Sequence, residues 1–148
     1  MKRLLKFLGE SGFWKIVGRL HVRMYHSTGG RLGANLGGLP HLLLTTVGRK
    51  SGELRTVPLT YMQDGAAYVL VASNGGSDRH PAWWLNLRAA PHARVQVRGE
   101  GFRITASEAH GAERERLWAA VKKLNPFYAQ YEKITEREIP VVVLRRAS

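Results

Sequence analysis

The sequence predicts an α+β fold, mainly antiparallel β: a small barrel of about six strands with flanking helices. Three observations carry this. The β-type runs come in pairs around short glycine-containing turns, the pattern of hairpins. Helical character is confined to the start of the chain, a short stretch after the third strand and a longer one before the last. The 148 residues, 44% hydrophobic and 23% charged, suit a single globular domain over 1–148 with a sizeable core.

Residues 1–27 read as a basic amphipathic helix. Phe13, Ile16, Val17, Leu20 and Met24 share one face, and Lys15, Arg19 and Arg23 recur every four residues on another. Such a helix either packs on its own domain or lies on an anionic membrane. Gly9, Gly12 and Gly18 weaken its continuity. Residues 28–40 (TGGRLGANLGGLP) form a glycine-rich connector with neither a Walker ending nor a dinucleotide fingerprint.

Residues 41–148 make the barrel core. The apolar run at 42–47 (LLLTTV) meets GRKSG at 48–52 and resumes as LRTVPL at 54–59, a hairpin whose second strand is marked as an edge or a bulge by Pro58. Asp64-Gly65 is a hairpin turn signal, and residues 66–73 (AAYVLVAS) follow as a third strand. A polar glycine loop at 74–81 runs into a short helix at 82–90, with Pro81 suited to its first turn. Residues 93–98 and 102–109 alternate around Gly99-Glu100-Gly101, a second hairpin. A helix over 111–124 stops at Asn125-Pro126, one more helical turn follows, and IPVVVL at 139–144 is a buried final strand.

Composition excludes several chemistries. Cysteine is absent, which removes disulfides, thiolate metal sites and cysteine nucleophiles. The six histidines lack HxH and HExxH spacing, so no metal site is expected, and no Gly-x-Ser-x-Gly elbow occurs. No apolar run approaches the ~20 residues that cross a bilayer, and the charged and glycine residues near the start argue against a cleavable targeting segment. The formal net charge of +12 favours anionic partners. Nucleic acid is not expected among them, because the aromatics are not interleaved with the basic runs. An enzyme with so little acid–base or covalent machinery would borrow its chemistry from a bound cofactor.

Two stretches could hold one. At the first hairpin tip, Arg49, Lys50 and nearby Arg55 gather with glycines that let a backbone approach a ligand. The tip is either a phosphate or carboxylate seat or a solvated basic turn. The loop at 74–81 leads into a helix N-terminus, whose first amides lack intrahelical partners. Trp83 and Trp84, adjacent on a helix, face about 100° apart, so either one enters the core while the other lines a pocket, or they fill the core. Tyr128 and Tyr131 share a helical face. Aromatic walls beside a basic loop suit a flat anionic ligand.

The sequence resembles the deazaflavin-dependent nitroreductase family, the small oxidoreductases that use coenzyme F420. The carriers are YHSTGGRLG (25–33), LLLTTVGRKSGELRTVPL (42–59), DG (64–65), VASNGGSDRHPAWWLNLRAAP (71–91) and NPFYAQYEKITEREIPVVVL (125–144). The resemblance implies a split β-barrel like that of FMN-binding relatives, and a strongly anionic deazaflavin cofactor with a phosphodiester and an oligoglutamate tail. It assigns Arg49, Lys50 and Arg55 to the phosphate and tail, with Ser51, Gly52, Val57 and Pro58 beside them. It sets Ala72, Ser73, Asn74, Gly75 and Gly76 under the ring and phosphate, and Pro81, Ala82, Trp83 and Trp84 along the ring, with Asn86 supporting the loop. Arg79 stands in for a lysine that relatives carry near position 74.

The implied reaction is hydride transfer from reduced F420 to a quinone, nitroaromatic or enone. Tyr128 and Tyr131 would orient the acceptor or deliver a proton, and Ile134 stands where some members have an aromatic. Alternatives at this level are an FMN- or haem-binding split barrel and a non-catalytic carrier of F420 or lipid. The expected location is cytoplasmic, with the first helix as a peripheral contact at the inner face of the membrane.

Overall fold

The computed structural model describes residues 12–36 and 38–147. Residues 1–11 of the expected first helix therefore lie outside the described residues. Helix α1 (Gly12–Thr28) is followed by β1 (Asn35–Leu36), β2 (Leu39–Val47), β3 (Leu54–Thr60), β4 (Met62–Asp64) and β5 (Ala67–Val71). A 3₁₀ turn (Asn74–Gly76) leads to α2 (Ala82–Ala89), then to β6 (His92–Val97), β7 (Glu100–Glu108), α3 (Gly111–Leu124), α4 (Phe127–Ile134) and β8 (Val141–Arg146).

All strand pairs are antiparallel, in the order β1-β2-β6-β7-β8-β5-β4, with β3 on the other side of β2. The sheet curls into a half-barrel with four helices around it. Eight strands replace the expected six because the connector contributes the two-residue β1 and the run 54–64 divides at Tyr61. Its first half pairs with β2 and its second with β5, so one stretch serves two parts of the curled sheet. Pro58 does sit on an edge: among the described residues β3 pairs only with β2, and the missing N–H leaves no ladder position open.

The last strand shows why IPVVVL is apolar throughout. Val142 and Leu144 join Leu42, Leu44 and Leu70 inside the barrel, while Val141 and Val143 face the opposite way onto Leu117, Val121 and Tyr128 of α3 and α4. Both faces of β8 are buried, and each such side chain contributes about 1.5–3 kcal/mol by leaving water. Similarly, Leu42 and Leu44 point into the barrel and Leu43 points out beneath α1, against Tyr25 and Ala34.

The second clear hairpin turns one position earlier than expected, at Arg98-Gly99, with Val97 opposite Glu100. Arg98 adopts φ 54°, and two contacts hold it there. The Tyr25 hydroxyl accepts a hydrogen bond from the Arg98 N–H, and Gly30 lies so close that a Cβ there would meet the Arg98 Cα at 2.3 Å. The connector's glycine thus allows α1 to lock onto the sheet.

Candidate functional site

The first hairpin closes as its sequence requires. The Gly48 N–H donates to the Glu53 carbonyl at 2.7 Å and the Gly52 N–H to the Gly48 carbonyl at 2.8 Å, with Gly52 at φ 73°. The Ser51 hydroxyl accepts from the Glu53 N–H, so Ser51 shapes the tip from within. Arg49, Lys50 and Arg55 are exposed there. Arg55 reaches the equally exposed Glu53 at 3.1 Å, a solvated pair of little energetic weight.

Asn86 of α2 fixes this tip to the rest of the molecule. Its Oδ1 accepts from the Arg49 N–H at 3.1 Å and more loosely from the Arg49 guanidinium at 3.4 Å, and its Nδ2 donates to the buried Thr46 hydroxyl at 3.0 Å. Asn86 is itself buried. An amide suits the position because it can accept from a backbone N–H and donate to a hydroxyl at once.

The helix that carries Asn86 begins where the glycine loop ends. In that loop Asn74, Gly75 and Gly76 have φ of 48°, 64° and 84°, preceded by Ser73 in the right-handed helical region. A right-handed residue followed by a left-handed one turns successive N–H groups toward one concavity, an arrangement that favours anions. A Cβ on Gly76 would meet Ile134 Cδ1 at 2.6 Å and Tyr131 Cδ1 at 3.2 Å, so the loop lies directly against α4.

The following segment staples the loop in place. The Thr135 hydroxyl donates to the Ser77 carbonyl at 3.3 Å and is within 3.2 Å of Asp78 Oδ1, which also accepts from the Glu136 N–H at 3.3 Å. Arg137 donates from Nε to the Ser77 carbonyl at 3.1 Å, and from one terminal nitrogen to the Ala72 and Ser73 carbonyls, each at 3.0 Å. Its other terminal nitrogen lies 3.2 Å from His80 Nδ1. The guanidinium has only N–H donors, so Nδ1 accepts; burial, then the nearby guanidinium, holds the His80 pKa below its ordinary value.

Of the two arrangements open to the tryptophans, the structure shows the core-filling one: Trp83 and Trp84 are both buried in the barrel cluster with Leu44, Leu70 and Leu87. The reason is that α2 is packed along two adjacent sides, so a step of one residue does not bring a side chain to the surface. The Trp84 indole Nε1 is buried without a hydrogen-bond partner among the described residues.

On α4, Tyr128 is 7% exposed and packs between Trp118 and Tyr131, edge-on to the latter at 6.4 Å between centroids. Burial pushes its hydroxyl up to about 12, offset in part by a hydrogen bond with the Asn125 side chain. Tyr131 is half-buried, raised in the same direction by burial, and stacked at 6.3 Å on the exposed Phe127.

The structure therefore joins most of the expected site residues into one strip. The tip (Arg49, Lys50, Ser51, Gly52) meets α2 through Asn86, α2 continues from the loop carrying Ala72 to Arg79 and from Pro81, and the loop meets α4 at Tyr131. Ala82 is exposed at the start of α2, and Arg79 is exposed with its backbone tied to Asn74 and Ser77. Val57 and Pro58 lie farther along β3. Val57 packs on the barrel cluster, and Pro58 faces α1 at Gly18. Sequence reasoning missed Arg137, Thr135 and Thr46. Arg137 sits in the run Glu136-Arg137-Glu138, which by composition reads as a solvated turn, and no spacing rule links it to residues 72–80.

Comparison with known proteins adds the family context. The profile of the F420H(2)-dependent quinone reductases matches residues 16–146. An F420H(2)-dependent quinone reductase of Mycobacterium tuberculosis (strain ATCC 25618 / H37Rv) is 44% identical over 132 residues, spanning 86% of this chain and 89% of that protein. Among solved structures, an F420-H2 dependent reductase (FDR-A) superposes with a TM-score of 0.66 at 40% identity, covering 72% of this chain and 94% of its own. Another, described as a domain-swapped dimer, superposes with a TM-score of 0.70 at 34% identity, covering 89% and 97%.

Proposed function

We propose, from the premise that this chain belongs to the F420H(2)-dependent quinone reductase family, that it reduces a quinone held against the aromatic face of α4. Dependence on reduced F420 and the split-barrel fold follow from that membership.

Reduced F420 supplies a hydride when bound, and the chain supplies position, charge and shelter from water. The residues present fit such a group. The turn from Ser73 to Gly76 presents N–H groups toward one concavity that suits an anion, and the tip offers three cations for an anionic tail. Arg49, Lys50 and Arg55 bind phosphate and carboxylates by charge-assisted hydrogen bonds, while Asn86 keeps that tip at a fixed distance from α2. Ser73, Asn74, Gly75 and Gly76 support the ring, with Pro81, Ala82, Trp83 and Trp84 forming the base on which the loop rests.

Tyr131, beside Gly76, is the residue placed to meet an acceptor over the ring. Its phenol is protonated at neutral pH, and burial moves it further from ionisation, so it can donate a hydrogen bond to the acceptor oxygen as charge develops there. Tyr128 backs it and limits its rotation. Nitroaromatics and enones are further acceptors on the same electrophilic logic, with Ile134 making the pocket wall aliphatic. The observation that carries this reading is the continuous strip from basic tip through Asn86 and the glycine turn to Tyr131.

The test is a titration of purified protein with F420, alongside FMN, followed by turnover with a soluble quinone. Salt-sensitive F420 binding, weakened about tenfold in Lys50→Ala, the scale of one charge-assisted contact, is expected. Tyr131→Phe should then lower kcat and leave F420 affinity near wild type. Tight FMN binding without F420 binding would overturn the cofactor assignment in solution. F420 binding with no turnover of any acceptor would instead make the chain a carrier.

We place the protein in the cytoplasm, with α1 against the inner face of the membrane. Ile16 and Leu20 are each 60% exposed, with Lys15, Arg19 and Arg23 exposed on the same helix, a combination suited to anionic lipid. No helix among the described residues is long and apolar enough to cross a membrane. Flotation with anionic vesicles should carry the protein upward, and Ile16→Asp with Leu20→Asp should leave it in the lower fraction. Equal behaviour of both would end the membrane assignment.

A further inference from the structure

We infer that Arg137 is the positioning residue of the glycine loop, bracketing the Asn74–Gly76 turn from both sides so that it is set before any cofactor arrives. This rests on the cofactor reading above.

Three features of the loop require an external brace. Asn74 holds φ 48°, a conformation unfavourable for a residue with a side chain, and two glycines follow it at positive φ. The turn's own backbone bonds are few: Gly76 N–H to the Ser73 carbonyl at 2.9 Å and Ser77 N–H to the Asn74 carbonyl at 3.1 Å. Glycine also has the largest backbone freedom in the unbraced state.

Arg137 supplies what the turn lacks. Its guanidinium binds Ala72 and Ser73 on the entering side and Ser77 and His80 on the leaving side. Four of its five N–H donors are engaged with the loop, so the side chain acts as a clamp and has little capacity left to bind an anion itself. By taking three carbonyls, it leaves the loop's anion-facing surface to N–H groups. The planar fork fixes the relative positions of those carbonyls, which a lysine ammonium on a flexible stem does not. Asp78 offsets the burial of this cation, and is itself tied to Thr135 and Glu136. Arg137 also precedes β8, the strand buried on both faces, so the clamp springs from a segment tied into both hydrophobic clusters.

The experiment compares wild type with Arg137→Gln, Arg137→Lys and His80→Ala, and uses Arg116→Ala as control, since Arg116 reaches Asp64 of β4 and no residue of the loop among the described residues. Backbone amide exchange is measured without cofactor, and F420 affinity by titration well below the melting temperature. Arg137→Gln should accelerate exchange across 72–80 while β7 and β8 keep their protection, and should weaken F420 binding by about tenfold or more. Arg137→Lys should fall between, and Arg116→Ala should match wild type.

A purely structural role would lower the melting temperature and leave affinity and local exchange unchanged, which overturns the proposal. If Arg137→Gln does not fold, Arg137→Lys and His80→Ala decide the matter by the same two readings. If wild type itself fails to bind F420, the cofactor reading falls, and the exchange arm still decides whether Arg137 holds the loop.

Discussion

Asn86 shows how one buried amide can join two parts of a site that are 37 residues apart in sequence. Truncating it in Asn86→Ala removes the bond to the Arg49 N–H and leaves the buried Thr46 hydroxyl without its partner. The expected cost is about 2 kcal/mol of stability, the range for a lost buried hydrogen bond with an unsatisfied group left behind. F420 affinity should fall with it, because the basic tip is released from α2. Urea unfolding and the same cofactor titration measure the two effects, and a variant as stable as wild type with full affinity would show that the tip needs no tether. The tyrosines make a related point. Spacing places Tyr128 and Tyr131 on one face, but packing differentiates them, because Trp118 covers the first while the glycine turn borders the second.

At the level of elements, the glycine loop and α4 define each other. The loop can approach α4 closely only because Gly76 lacks a Cβ, and α4 is held at that distance by the bonds of Thr135 and Arg137 just beyond its end. The clamp is therefore local in space and distant in sequence. Helix α4 is further tied to α3 through the Trp118 indole, which donates to Glu132, and through Lys122, whose Nζ lies 4.0 Å from Glu132 Oε1. A change on α3 that loosens Trp118 would be felt at Tyr131 through this contact. The first helix is different: it is joined to the sheet by Tyr25, whose hydroxyl meets the His41 and Gln96 carbonyls at 3.2 Å, and its outer face remains exposed.

At the scale of the whole molecule, two electrostatic features set conditions for stability and binding. The net charge of +12 makes association with an anionic cofactor strengthen as ionic strength falls. Stability should in turn depend on pH through His41. Burial, aided by the neighbouring His21 ring at 5.3 Å, holds its pKa below the ordinary value, against the opposing pull of its Leu39 carbonyl bond. The native state thus binds a proton less readily than the unfolded chain. The His41 contribution is complete above about pH 6.5 and is lost as pH falls below that value. Thermal unfolding between pH 7 and pH 5 should show a falling melting temperature, with a flatter profile in His41→Gln. An unchanged slope in that variant would assign the dependence to other groups.

The sequence by itself determined the hairpin pairings and the chemical character of the short segments expected at the site. Hairpin signals at Gly48 to Gly52 and at Asp64-Gly65 were sufficient because a turn and its flanking strands are local, and the period-two pattern of β6 and β7 reports which face is buried. The basic tip, the glycine turn and the tyrosine pair were legible for the same reason: each is a short contiguous signal. Only the tertiary structure decided how they meet. The burial of both tryptophans depends on what packs around α2, the split of residues 54–64 into β3 and β4 depends on the curl of the sheet, and the roles of Asn86 and Arg137 depend on contacts that span 37 and up to 65 residues. Local sequence fixes backbone preference and polarity, whereas a hydrogen bond between distant segments exists only once the barrel has brought them together.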